Sequence, residues 1–471
     1  MSTSKQILMP QWSRHLLFYG SMLVGAAGIF AAICLTGPTE AVVRSEAVRA
    51  SYGHAELLAR LLFALLLILA TAQLLGRAFR YLRWPAVVGE IVAGILLGPS
   101  LVGRLLPEVS KQVFPTTVVA PLNAIAQVGV VLYMFVIGLE LDFRLLQRRA
   151  QAAVTISHAS IILPFLLGAA LARLLFEQYA PAGVPFFHFA LFSGVSLSVT
   201  AFPVLARILS DRGEEKSPLG ALALTCAAVD DVTAWCLLAL VVGVVGGSPH
   251  GVWWTLTLTV AYLAVMRTWV SPALGTVIRR FEQSGKPLDR TLLGLVILFV
   301  LGSALLTEYI GIHAIFGGFV AGAVIPADSR VARWITGHVE QLVVTLLLPV
   351  FFAHTGLRTQ IGLVDSTQAW LLCGLIIATA CAGKFGGTLV AARFCQLSWR
   401  DSAALGMLMN TRGLMELIVL NIGLDLGVIS PALFAMLVLM AVLTTLMTTP
   451  ILDLIRSSGL TLPVQRAADH A

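Results

Sequence analysis

The chain reads as long apolar runs separated by short polar connections. Runs able to cross about 30 Å of hydrocarbon begin near residues 56, 84, 117, 152, 186, 218, 252, 290, 311, 338, 368, 401 and 430. The pattern predicts about thirteen transmembrane helices, although residues 311–326 are short for a span and the region 290–326 permits another division. A further apolar stretch, Leu16–Leu35, follows Lys5 and Arg14. At about twenty residues it is long for a signal-peptide core, which favours an extra retained helix, with a cleaved signal peptide as the other reading. The expected organisation is an N-terminal segment over 1–54, a membrane domain over 55–456 and a short tail over 457–471.

Composition agrees with the pattern. Of 471 residues, 58% are hydrophobic and 12% charged, and the mean hydropathy is +0.91. A water-soluble fold could not hide that much apolar surface, which makes this an all-α polytopic membrane protein. The net charge of +7 does not imply nucleic acid, because the basic residues cluster in connections such as "GRAFRYLR", "DFRLLQRR", "RRFEQSGKPLDR" and "RFCQLSWR". The intervening connections "FEQYAPAGVP", "GGSPHG", "TEYIGIH" and "GLDLGVIS" contain no Lys or Arg. The positive-inside rule puts the basic set, and with it the C-terminus, in the cytoplasm. Six cysteines lie in or beside apolar runs without metal-ligand spacing, and they read as packing residues; no cofactor is expected.

Charges inside the apolar runs mark the candidate chemistry, since each costs roughly 2.5–3.5 kcal/mol on insertion scales. Asp230 and Asp231 are adjacent in the sixth run, and on a helix their side chains point about 100° apart, toward different partners. Lys384, in "CAGKFGG", is the one lysine deep in any run; it calls for a carboxylate partner, and Asp230 is the candidate. Two runs are interrupted. In "SVTAFPVLAR", Pro203 predicts unwinding around Thr200, Ala201 and Phe202. In "LMNTRGLMELIVLN", Asn410, Thr411, Arg412 and Gly413 break the twelfth run. Irregular backbone at membrane depth is tolerated where it lines a cavity or another segment. The interruptions lie seven runs apart, an odd offset, which predicts two inverted repeats whose broken helices cross at the midplane. Glu90, Arg207 and Glu416 are further charges in or near runs and read as mutual pairing groups. His354 reads as a satisfied core histidine.

Seven ordered stretches, "PAVVGEIVAGILLGPS", "GVVLYMFVIGLELD", "TAFPVLARIL", "AAVDDVTAW", "HAIFGGFVAGAVIP", "LPVFFAHTGL" and "NTRGLMELIVLN", resemble successive motifs of the monovalent cation:proton antiporter-2 family. The resemblance runs from about His54 to Arg456. It implies a homodimeric exchanger of Na⁺ or K⁺ for protons that works by alternating access. Asp231 is then the cation and proton carrier, Asp230 the partner of Lys384, and Thr200 with Phe202 part of the crossover. A DD pair with a lysine is associated in that family with electrogenic exchange. Carbonyls around Thr200 and Asn410 and the Thr200 hydroxyl would complete the ligands of the carried cation on Asp231. The resemblance also implies a bacterial inner (plasma) membrane and a transporter rather than an enzyme. Two other readings of the residues stay open at this stage: an inverted-repeat carrier for another small solute, and a cation channel.

Overall fold

The computed structural model describes residues 24–25, 28–29, 46–82, 84–140, 150–215, 217–246, 249–285 and 287–457. The N-terminal apolar segment lies outside these apart from four helical residues, as do the basic connection 141–149 and the tail from residue 458. Among the described residues every regular element is helical. They are α1 (Glu46–Tyr81), α2 (Ala86–Leu97), the short α3 (Val102–Leu105) and α4 (Pro107–Val113), α5 (Thr116–Glu140), α6 (Ala150–Tyr179), α7 (Phe186–Ser198), α8 (Phe202–Asp211) and α9 (Pro218–Gly246). The chain continues with α10 (Pro249–Val265), α11 (Ser271–Gln283), α12 (Arg290–Ile310), α13 (Ala314–Ala323), α14 (Arg330–Leu342) and α15 (Leu348–Arg358). Last come α16 (Thr367–Phe394), α17 (Trp399–Met409), α18 (Leu414–Asp425) and α19 (Pro431–Ser457). Single π-helical turns, Met266–Val270 and Val343–Leu347, join α10 to α11 and α14 to α15.

Helices begin where a side chain can take the first free amides. Asp289, Ser329, Ser366 and Ser398 cap α12, α14, α16 and α17 by accepting from Leu292, Ala332, Ala369 and Asp401. Gly311 closes α12 at φ 91°, a left-handed conformation that glycine adopts without a Cβ penalty.

Helical structure stands at each of the thirteen expected places, but fewer elements are full apolar spans. Ten described helices are long and apolar enough to cross a membrane, eleven when the bent pair α17–α18 counts as one. The run at 311–326 yields only the ten-residue α13. The segment 249–283 carries Trp254 and several threonines in its first half and Arg267 at its middle, which dilute its apolar character.

Two sets of helices pack among themselves. In one, α6 lies along α16, α7 and α9, with α17, α18 and α19 against the same group. In the other, α5 lies along α13 and α15, and α15 along α2. Glycines set the close approaches. A Cβ on Gly387 would stand 2.5 Å from the Ala159 carbonyl, and one on Gly383 2.7 Å from Pro164. The two glycines flank Lys384, so their lack of side chains brings that lysine against α6 and into the site.

Candidate functional site

The two interruptions become two helix breaks that cross. Helix α7 stops at Ser198, Val199–Ala201 run extended, and α8 restarts at Phe202 with Pro203 in its first turn. Proline is preorganised there and its missing amide costs nothing; the sequence expectation had placed Phe202 in the unwound stretch. Helix α17 stops at Met409, and α18 restarts after Gly413 with a 44° bend between the two.

Each break satisfies the other. The Ala201 amide donates to the Thr411 carbonyl at 3.1 Å, and the Thr200 hydroxyl lies 3.2 Å from the Met409 carbonyl. Arg412, fully buried, donates to the Ser196 carbonyl at 3.1 Å and the Leu197 carbonyl at 2.6 Å. These belong to the last turn of α7, whose carbonyls lack helical partners and form the negative end of its dipole. The same guanidinium pairs with Glu416 at 2.9 Å, in the first turn of α18, where a carboxylate suits the positive end. Thr445 of α19 accepts from the Arg412 amide at 3.0 Å and donates to its carbonyl at 2.7 Å.

Beside the crossing, on α9, the two aspartates have opposite surroundings. Lys384 Nζ lies 2.9 Å from Asp230 Oδ2, with both side chains withdrawn from solvent. Thr200 Oγ1 donates to the same oxygen at 2.6 Å and accepts from Lys384. Two hydroxyls of α6 complete the set: Ser160 at 2.9 Å from Oδ2, and Ser157 on Oδ1. Asp231 is 1% exposed, yet neither of its oxygens has a hydrogen-bond partner. The Phe202 amide is the backbone donor directed at Asp231, short of closed hydrogen-bond geometry. Nearby, Asn410 donates to Cys381 Sγ at 3.5 Å, and its side-chain oxygen is unpartnered.

The structure therefore gathers Asp230, Lys384, Thr200, Phe202, Asp231 and the Asn410–Gly413 break in one place. It separates the other candidates: Glu90 feels Arg207 and Arg80 electrostatically without a direct ion pair among the described residues, whereas Glu416 is paired inside the crossing. His354 lines a small cavity with Asn421, Arg358 and Asp425, outside this network. The sequence reading missed Ser157, Ser160 and Thr445. Ser157 and Ser160 do share one helix face by their i, i+3 spacing, but a serine in a membrane helix so often bonds its own preceding turn that the spacing alone carries little signal.

A multi-pass helical protein whose buried charges meet at crossed helix breaks is built as a transporter. The kind of transporter follows from its relatives: the chain belongs to the transmembrane sodium/hydrogen exchanger family, whose match covers residues 61–454. The Na(+)/H(+) antiporter NhaS4 of Synechocystis sp. is 43% identical over 389 residues, 82% of this chain and 95% of that protein. Cation/H(+) antiporter 17 of Arabidopsis thaliana is 39% identical over 401 residues, 85% of this chain and 48% of that protein. K(+)/H(+) antiporter 1 of Saccharomyces cerevisiae is 34% identical over 416 residues, 86% of this chain and 47% of that protein. The chain thus spans nearly all of the first and about half of the other two. In fold it is similar to the sodium proton antiporter MjNhaP1 from Methanocaldococcus jannaschii, with a TM-score of 0.59 at 16% identity, covering 84% of this chain and 96% of that one.

Proposed function

We propose that this protein exchanges a monovalent cation, Na⁺ or K⁺, for protons by alternating access, with Asp231 holding either cargo in turn. One observation carries the reading: of two adjacent buried carboxyls, Asp230 has four donors and Asp231 has none. A buried anion without donors is costly, and a proton or a small cation relieves that cost. Asp231 cannot hold both at once. Competition for one carboxyl couples the two fluxes.

Charge arithmetic supports the same reading. With Asp230, Asp231 and Lys384 all ionised the cluster carries one negative charge, and a proton or a monovalent cation brings it to neutrality as long as Lys384 keeps its proton. Passage of the loaded site through the low-dielectric barrier then avoids the penalty of moving an uncompensated charge. Asp231 supplies the charge for the carried cation, and the Asn410 side-chain oxygen and the backbone around Thr200 and Phe202 are its candidate neutral neighbours. The crossing and the helices around α6 and α16 form the moving part, and the set around α5 and α15 the frame. The working unit is a homodimer in a bacterial inner membrane with the C-terminus cytoplasmic, as the basic connections and the family resemblance suggest.

Proton movement driven by a Na⁺ or K⁺ gradient in proteoliposomes tests the proposal. Asp231→Asn is expected to insert and fold but to lose exchange; exchange at the wild-type rate in that variant would sink the mechanism.

A further inference from the structure

Arg358 is the last residue of α15 and Asp425 the last of α18, and their side chains meet at 2.6 Å. One turn back along α18, Asn421 accepts from the same guanidinium at 3.0 Å and donates to Thr355 Oγ1, one turn back along α15, at 2.8 Å. Thr355 and Arg358 are three residues apart and Asn421 and Asp425 four, so each pair lies on one helix face. The four side chains form a ladder between the two helices.

The ladder walls a cavity of about 20 Å³, lined also by Asn123, Gln127, His313 and His354. It has room for about one water molecule, so a hydrated cation cannot pass. The apolar lining includes Ile315, whose neighbour Phe316 sets its ring 6.4 Å from that of Trp235. Trp235 lies one turn along α9 from the donorless Asp231. The ladder stands at the face of the connections "TEYIGIH" and "GLDLGVIS", which carry no Lys or Arg.

We propose that Arg358, Asp425, Asn421 and Thr355 are the latch of a gate on this face, closed in this structure, which must part each time the moving set turns Asp231 toward it. The inference rests on the exchange reading above and on its division into a moving set and a frame.

Position argues for a contact made to be broken. The Lys384–Asp230 and Arg412–Glu416 pairs lie wholly inside the moving set and can stay closed as it shifts. The ladder joins α18 of that set to α15 of the frame, so relative motion of the two must break it. It is also the easiest of the three to part: the Arg358 side chain is 23% exposed and that of Asp425 48%, and an ion pair open to water holds weakly. Helix α18 by itself disfavours an acid at 425. In the last turn a carboxylate faces the negative end of the dipole, the reverse of Glu416 in the first turn, and a cation across the gap offsets that. Arg358 suits the last turn of α15 and needs no partner to remain there when the ladder opens.

The test is the rate at which a membrane-impermeant maleimide labels Ile418→Cys, a cavity-lining position of α18 that is 1% exposed. The reagent is added separately to each face of the membrane, with the wild-type chain and its six native cysteines as the background. With the ladder intact, labelling is expected to be slow. Adding Arg358→Gln is expected to speed it about tenfold from the face of the ladder, the factor that one charge-assisted hydrogen bond is worth in a two-state equilibrium, and to leave the other face unchanged. Asp425→Asn should act in the same direction. The exchanged pair, Arg358→Asp with Asp425→Arg, should label slowly again. Rates unmoved by Arg358→Gln and Asp425→Asn, an equal rise from both faces, or an exchanged pair as fast as Arg358→Gln would overturn the latch. Should Ile418→Cys fail to fold, Gln127→Cys on the frame side of the cavity decides by the same criterion. These measurements read access and not flux. Retained exchange in Asp231→Asn would reject the exchange reading, whereas loss of exchange there with unmoved labelling would reject only this inference.

Discussion

Arg412 Nη1 and Glu416 Oε2 face each other at 2.9 Å across one turn of chain, with neither side chain reaching solvent. The contact is more than an ion pair, because the same guanidinium closes two carbonyls left free by the break of α7. A planar fork can serve three acceptors in fixed directions, which an ammonium cannot.

Arg412→Ala therefore strands a buried carboxylate and two carbonyls together. Breaking a buried pair from one side costs about 3–5 kcal/mol in general, and the lost cap adds to it. Arg412→Lys keeps the charge but not the fork and is expected to fall between. Thermal unfolding in detergent should rank wild type above Lys above Ala. A lysine variant as stable as wild type would remove the capping role.

A different test applies to Lys384 and Asp230. If their 2.9 Å contact is an energetic pair, Lys384→Ala leaves Asp230 uncompensated, and adding Asp230→Asn recovers part of the loss. The double variant should then be more stable than Lys384→Ala alone. Losses that simply add would show two independent sites.

Glycine at 387 is required by distance, since its Cβ would meet the Ala159 carbonyl at 2.5 Å. Gly387→Ala must push α16 away from α6, at a cost of about 1–3 kcal/mol for overpacking, and should lower exchange by moving Lys384 off Asp230. Gly374 supplies the control within the same helix: nothing lies within 4 Å of its would-be Cβ, so Gly374→Ala should be neutral or slightly stabilising. Melting temperature and flux measured on both variants separate packing from helix propensity. Equal effects at the two positions would contradict the account.

The legible part of this protein was the part that violates membrane chemistry. Asp230, Asp231, Lys384 and Arg412 stood out because a charge in an apolar run is expensive, and Pro203 and Gly413 because they interrupt helices. The assembly of these features was less legible. Nothing in "NTRG" says that Arg412 reaches back more than two hundred residues to Ser196 and Leu197, since that depends on how the helices cross. Ser157 and Ser160 were silent because a hydroxyl is cheap in a membrane helix, so its presence demands no partner. The bounds of the run at 311–326 were less legible for a related reason: Gly311 and the turn before Ala314 shorten its regular helix to ten residues, and apolar composition alone does not mark where a helix starts.

Binding one cation at Asp231 releases the proton held there, and it can release a second if the Asp230–Lys384 contact opens during the cycle and Lys384 gives up its proton. Two protons against one monovalent cation carry one net charge per cycle, worth about 2.3 kcal/mol per 100 mV. Exchange should then respond to an imposed membrane potential while both ion gradients are held constant. Lys384→Gln combined with Asp230→Asn removes the second proton while keeping the net charge of the cluster at −1, and should convert the cycle to one-for-one exchange that is blind to voltage. The experiment uses proteoliposomes clamped with K⁺ and valinomycin, after K⁺ itself has been tested as a substrate; if it is transported, the clamp must be set by another permeant ion. A wild-type rate and reversal point indifferent to voltage would show that Lys384 stays protonated as a permanent counter-charge. The exchanger would then be electroneutral, and the donorless Asp231 would remain the carrier.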